Sequence, residues 1–443
     1  MKKFLVIWIG QVISILGSGL TSFALGVWIF EQTGQATPFA LTVLFGNLPR
    51  ILLSPIAGSL ADRWNRRWLM ILADSGDALV TLGVVILLMF GNLQIWQIYL
   101  IALLSAVFAA FQEPAYTASI TMLVEKKDLA RANGLVQMSE ALEMLVAPLL
   151  AGVLFVAIGL HGIILIDFIT YFFAVGALLL IQIPQPRLSA EDAGQKSSFV
   201  QDFIFGWRYL KIRTGLLGLL IYFALVNFLL NLSGVLMGPL VLSFAPASTL
   251  GLVEMVSGAG MLAGSILMSA WGGPQRRIQG VFGFIALGAF GLLITGLRAN
   301  AFFPSAGLFL LLFCVPLASG LSQAVFQSKV AADVQGRVFA MRAMISRSMM
   351  PLAFLLAGPL ADFVFEPMMR PGGGLARTFA GNMLGTGAGR GIGLIFAISG
   401  IVLIGASTLA YSSPRIRLVE YELPDAVLEA VEETAGMEEA LAV

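Results

Sequence analysis

Cysteine and histidine are nearly missing from this 443-residue chain, with one of each, Cys314 and His161. A lone cysteine inside an apolar run excludes a disulfide framework and a thiolate metal cluster, and a lone histidine adds no metal site. Charge is scarce too. Lys, Arg, Asp and Glu make up 12% of the chain, against roughly 25% in soluble domains. The 26 basic and 25 acidic residues leave a net charge of +1, so there is no basic stripe to follow nucleic-acid phosphates. A Gly-x-x-x-x-Gly-Lys-Ser/Thr loop is also missing, which excludes ATP-driven transport within the chain. Without a metal cluster or a Ser/His constellation, an intramembrane enzyme or a cofactor site is not expected. What remains is apolar: 58% of residues are hydrophobic, and the mean hydropathy is +0.91. Such a surface suits lipid rather than water.

Crossing the hydrocarbon core takes about 20 apolar residues in a helix, and only helices or closed barrels satisfy their backbone there. The apolar runs predict an all-α membrane protein with twelve transmembrane helices. The first six cover Phe4–Phe30, Thr37–Ala61, Trp68–Phe90, Ile95–Leu123, Arg131–Ile158 and Gly162–Ile181. The second six cover Gly215–Phe244, Thr249–Trp271, Ile278–Leu297, Phe303–Phe326, Arg337–Val364 and Gly391–Tyr411. This divides the chain into an N-terminal six-helix bundle (1–183), a linker (184–213), a C-terminal bundle (214–412) and an acidic tail (413–443). Met1-Lys2-Lys3 before an apolar run resembles a signal peptide, but no small-residue cleavage site follows. It reads as a retained first helix.

Lys and Arg are retained in cytoplasmic connections. One set of alternate connections carries Lys2, Lys3, Arg63, Arg66, Arg67, Lys126, Lys127, Arg131, Arg187, Lys196, Arg208, Lys211, Arg213, Arg276, Arg277, Lys329, Arg337, Arg415 and Arg417, whereas the other carries Arg298, Arg370, Arg377 and Arg390. Both termini and the linker are therefore expected in the cytoplasm, with the chain in the inner (plasma) membrane. In the linker, Phe199, Phe203, Trp207 and Leu210 recur at helical spacing and predict an interfacial helix. The acidic tail reads as solvated.

Displacing the sequence by 206 positions superposes parts of its two halves. Ala57-Gly58-Ser59 falls on Ala263-Gly264-Ser265. Arg131, Met138, Leu149, Leu150, Ala151, Gly152 and Leu154 fall on Arg337, Met344, Leu355, Leu356, Ala357, Gly358 and Leu360. An even number of spans per half gives both copies the same orientation, so a pseudo-two-fold axis runs along the membrane normal. A binding site is then expected between the halves near mid-membrane.

Between spans two and three stands Gly58-Ser-Leu-Ala-Asp62-Arg63-Trp-Asn65-Arg66-Arg67. It resembles the G-x-L-a-D-r-x-G-r-r signature of the major facilitator superfamily, with Asn65 at the second glycine and Met268 at the acid position of the second copy. Ala147-Pro148-Leu-Leu-Ala-Gly152, Gly336-Arg337-Val338 and Gly358-Pro-Leu-Ala-Asp362 extend the resemblance toward the branch of macrolide-efflux proteins and the enterobactin exporter. The resemblance implies the major facilitator fold, with Gly58, Asp62, Arg63, Arg66 and Arg67 as a conformational latch. It also implies proton-coupled export of a small, lipophilic molecule by a monomer. A lipid flippase of the same fold and a non-transporting receptor or scaffold are the competing readings.

Ionisable groups at membrane depth cost about 2.5–3.5 kcal/mol each on insertion scales, which marks them as functional candidates. Arg50, Glu140, Glu143 and Arg347 fall near mid-depth and could meet in one cavity. Glu140 and Glu143 share a helix face, where mutual repulsion favours proton exchange; the alternative is permanent neutralisation by Arg50 or Arg347. Glu113 and Glu254 either line the cavity or pair across the halves. Asp74 and Asp77 are expected to pair with Arg63, Arg66 or Arg67, Asp167 to be structural, and Arg342 to snorkel to the surface. Phe23, Trp28, Phe223, Phe228 and Phe326 read as packing residues on composition alone. Gly385 to Gly393 mimics a dinucleotide loop, but no strand precedes it, so it reads as an outer loop and helix start.

Overall fold

The computed structural model describes residues 1–91, 93–125, 128–183, 207–208, 211–330 and 335–422, without the side chains of Pro55, Gly58, Ser59, 61–63, Thr121, Ala130, 335–337 and Ala340. Among the described residues there is no strand. The helices are α1 (Lys2–Thr33), α2 (Ala36–Arg63), α3 (Arg66–Met89) and α4 (Ile95–Leu123), followed by a 52-residue stretch, Leu129–Leu180. Gly159 breaks this stretch with φ 66° and ψ −175°, a region of backbone space open essentially to glycine alone. It therefore forms two spans, α5 (129–158) and α6 (160–180). The second half holds α7 (Thr214–Leu242), α8 (Ala247–Trp271), α9 (Arg277–Gly296), α10 (Phe302–Lys329), α11 (Gln335–Pro359) and α12 (Arg390–Ser412). After Pro359, α11 widens into a π-helical turn, Leu360–Phe365. The loop before α12 turns through Gly385, Gly387 and Gly389, all at positive φ.

Among the described residues twelve spans thus form, as the apolar runs predict. The linker's expected interfacial helix lies almost wholly outside the described residues, as does the tail beyond residue 422. The tail's first turn departs from expectation. Glu420 caps α9, accepting from the Ile278 amide at 3.0 Å, and its own carbonyl accepts from Lys329 Nζ at 2.5 Å. Val419 is 1% exposed, so this segment is packed under the bundle rather than solvated.

The two halves pack differently. The C-terminal half has one large apolar core that runs from Leu216 to Val419 and takes in Val27, Ala36, Ala40 and Leu44 from α1 and α2, with a second, small cluster of Met369, Leu384 and Leu394 beside the loop before α12. In the N-terminal half the apolar core falls into three clusters. Hydrogen-bonded side chains lie in the same half. Gln11 Nε2 donates to Asp74 Oδ2 at 3.1 Å, Gln112 Nε2 donates to Gln11 Oε1 at 2.8 Å, and Ser18 donates to Asp167 at 3.2 Å.

Asp74, expected with Asp77 to pair with the loop arginines, accepts from Gln11 and not from Arg66 or Arg67, and Asp77 Oδ1 is buried with no hydrogen-bond partner among the described residues; the Arg63 side chain lies outside them. Arg66 donates to the Ala118 carbonyl at 2.8 Å, and Arg67 to the carbonyls of Leu178 and Leu179 at 2.7 and 2.8 Å. The carbonyls of Leu178 and Leu179 are acceptors at the end of α6 that no helical amide reaches. Asp167 is 7% exposed and lies against Gly17 of α1.

Candidate functional site: an acidic cavity between the halves

Call the side with both termini the terminal face and the other the far face. The halves meet in the far half of the molecule. Gly152 of α5 leaves no room for a side chain beside Ala247 and Ser248 of α8, Gly251 lies against the Pro148 carbonyl, and Gly258 against Leu145. Across the pseudo-axis, Gly358 of α11 lies against the Thr37 backbone of α2. Gly152 and Gly358 are the repeat-related pair, so the duplicated sequence places a close approach at the same level of both seams. Toward the terminal face, Arg50, Met138, Glu140, Met344 and Arg347 are exposed. The described halves are closed at the far face and splayed at the terminal face.

A cavity of about 580 Å³ lies at the base of the splay. Its walls come from single faces of five helices, with residues three or four apart: Gly19, Ser22 and Phe23 on α1; Glu140, Glu143, Met144 and Ala147 on α5; Leu230, Ser233 and Met237 on α7; Leu250, Glu254 and Ser257 on α8; Leu308, Leu311 and Val315 on α10. Phe39 of α2 closes one side and packs against Gly26 and Gly238. The wall is apolar apart from three serines and three carboxylates, and among the described residues no Lys, Arg or His lines it. The Ser233 hydroxyl is buried with no hydrogen-bond partner among the described residues.

The sequence candidates divide accordingly. Glu140, Glu143 and Glu254 share the cavity, the first two from the N-terminal half and the third from the C-terminal half. The ion pair of Arg50 is with Glu113 rather than with Glu140 or Glu143: its Nη1 bonds Glu113 Oε1 at 2.9 Å between α2 and α4, with the two side chains 48% and 58% exposed. Neither they nor Arg347, which is exposed on α11, belong to the cavity wall. Phe23 lines it, whereas Trp28 and Phe228 pack into the apolar cores. Arg342 does not snorkel. Its guanidinium lies 4.4 Å from the Phe326 ring centroid and 5.7 Å from that of Phe223, and donates to Gln323 Oε1 at 2.9 Å and Ser322 Oγ at 3.0 Å. Two aromatic faces and two oxygens replace water around the cation, which removes its reason to reach the surface.

Of the latch residues, the side chains of Gly58, Asp62 and Arg63 lie outside the described residues; Arg66 and Arg67 hold the carbonyls described above. Sequence reasoning did not single out Phe39, Ser22, Ser233, Ser257 or Met237 as cavity residues. The i, i+3/i+4 stripes that carry them look like any packing face of a membrane helix.

Two helical bundles closed at one face, with a cavity walled by both, make a polytopic membrane transporter. The chain belongs to the Major Facilitator Superfamily, whose pattern matches residues 7–354; it is a transporter and not an enzyme. Macrolide efflux protein A of Streptococcus pyogenes is 27% identical over 369 residues, covering 81% of this chain and 89% of that protein. Multidrug efflux pump Tap of Mycobacterium tuberculosis (strain ATCC 25618 / H37Rv) is 24% identical over 373 residues, covering 81% and 87%. A mutant of the nucleoside transporter NupG superposes with a TM-score of 0.70 at 12% identity, covering 92% of this chain and all of that one. A bacterial homologue of the human lysosomal transporter Spinster, in an inward-facing and unoccupied conformation, gives 0.65 at 14% identity, covering 94% and 96%. These two share the fold.

Proposed function

We propose that this chain exports a lipophilic molecule bearing a protonated amine, driven by inward proton flow, through alternating access between its two halves. One observation carries the reading: Glu140, Glu143 and Glu254 converge from both halves on an apolar cavity with no basic residue in its wall. A carboxylate in an apolar cavity is stabilised by a proton or by a cationic ligand, and both cannot be held at once. Arrival of the cation therefore displaces the proton, and the proton returns from the other side after release. Aromatic and aliphatic walls from Phe23, Phe39, Met144, Met237 and Leu308 suit the apolar body of such a molecule. The names of the macrolide-efflux and multidrug-efflux relatives support the same substrate range.

The basic residues of the terminal face support an orientation with both termini in the cytoplasm and, for this conformation, a cavity open to the cytoplasm. The test is uptake of a labelled macrolide or a cationic dye into inverted vesicles. Accumulation is expected only with an imposed proton gradient, and Glu143→Gln is expected to remove that dependence. Uptake indifferent to the gradient refutes proton coupling, and flipping of labelled lipid without export of either probe would turn the reading toward a flippase.

A further inference from the structure

We infer that Asp362 is a gating residue of the transport cycle: its carboxylate, from the C-terminal half, caps the first turn of α2 in the N-terminal half and bolts the far face shut. Asp362 Oδ1 accepts from the Ala36 amide at 2.9 Å, and Oδ2 accepts from the Thr37 amide at 2.7 Å and the Thr37 hydroxyl at 2.6 Å. The first amides of a helix have no intrahelical partner and form the positive end of its dipole. In most helices a side chain of the same segment fills that role, but Gln35 at the N-cap of α2 makes no capping bond. The cap is supplied instead by a residue 326 positions away.

Local structure aims it there. Gly358 brings α11 against Thr37, and the π-helical turn Leu360–Phe365 then sets Asp362 over the α2 terminus. Such turns recur where a helix must re-aim a side chain for function. Among the described residues the partner seam has no such bolt. By the repeat, Asp362 corresponds to Val156, which is 68% exposed. The α8 N-cap, Pro246, makes no side-chain capping bond either. One seam is held by contact alone, and the other by contact plus three hydrogen bonds to a charge. Because donors and acceptor belong to different halves, these bonds exist only while the far face is closed, so their strength enters the equilibrium between access states directly.

The inference rests on the alternating-access reading and is tested independently of coupling. On a Cys314→Ser background, spin labels at Gln35→Cys and Phe363→Cys report the far-face separation in nanodiscs. Removing charge-assisted bonds by Asp362→Asn or Asp362→Ala is expected to raise the ratio of far-open to far-closed molecules about tenfold or more. Thr37→Val, which removes only the hydroxyl bond, is expected to raise it by a smaller factor while leaving the fold undisturbed. A merely structural cap would lower thermal stability without changing the ratio. Unchanged ratios in all three variants overturn the inference whatever the vesicle assay returns. A shifted ratio in a protein that shows no gradient-driven uptake keeps the gate and rejects the proton coupling.

Discussion

Replacing Glu254 by Gln keeps size and hydrogen-bonding capacity and removes a group that can give up its proton and pair with a bound cation. Among the described residues no basic side chain lines the cavity wall beside Glu254, so its carboxylate is available to a cationic ligand. A charge-assisted hydrogen bond contributes about 1.5–3 kcal/mol, which corresponds to roughly 10- to 150-fold in affinity. The same change at Glu140, which is exposed toward the terminal-face opening, meets solvent screening, and about 0.2–1 kcal/mol, or roughly 1.5- to 5-fold, is expected. The assay is equilibrium binding of a matched pair of ligands to purified protein, one with a tertiary amine and one with that nitrogen converted to an amide. Glu254→Gln should weaken the amine by the larger factor and leave the amide within about twofold, with Glu140→Gln between. Equal losses for both ligands would mean that Glu254 shapes the cavity rather than recognises charge, and no loss for either would remove it from the site.

Two further predictions follow from the geometry. Gly159→Ala forces an L-residue into φ 66°, ψ −175°. No atom lies within 4 Å of the added methyl, so the penalty is backbone strain alone, about 1–3 kcal/mol, measurable by unfolding in mixed micelles; unchanged stability would refute the two-span reading of Leu129–Leu180. Arg50→Glu leaves like charges at the Glu113 contact and should slow transport, whereas the exchange Arg50→Glu with Glu113→Arg should restore much of the rate per folded molecule, with no recovery implying separate roles for the two.

Span positions were legible because hydrocarbon thickness fixes the length of each apolar run and charge marks its ends: Ile95–Leu123 and the end of α8 at Trp271 coincide with expectation. The break between α5 and α6 was legible for the same reason, since 52 residues far exceed one crossing. Which charges within the spans meet was not. Arg50 finds Glu113 and Asp362 finds Ala36 through the angles at which helices and halves dock, and no periodicity within one segment encodes those. Arg342 shows the same limit: counted from its helix end it looks free to reach the surface, and only Phe326 and Phe223, from other helices, make burial the better solution. The repeat did carry one contact, because Gly152 and Gly358 mark equivalent seams.

The unequal cores of the two halves bear on how the molecule moves. Sliding one helix past another in a continuous apolar core disrupts close packing everywhere along the slide. The C-terminal half, with most of its buried apolar residues in one core stapled by Glu420 and Lys329, is therefore expected to resist internal sliding. In the N-terminal half, side-chain hydrogen bonds such as those among Gln11, Asp74 and Gln112 lie beside three separate clusters. Donors and acceptors of this kind can exchange partners over short distances, so helices there can shift by trading one bond for another. On the alternating-access reading, the deformation that accompanies each opening is then expected in the half whose apolar core is more divided.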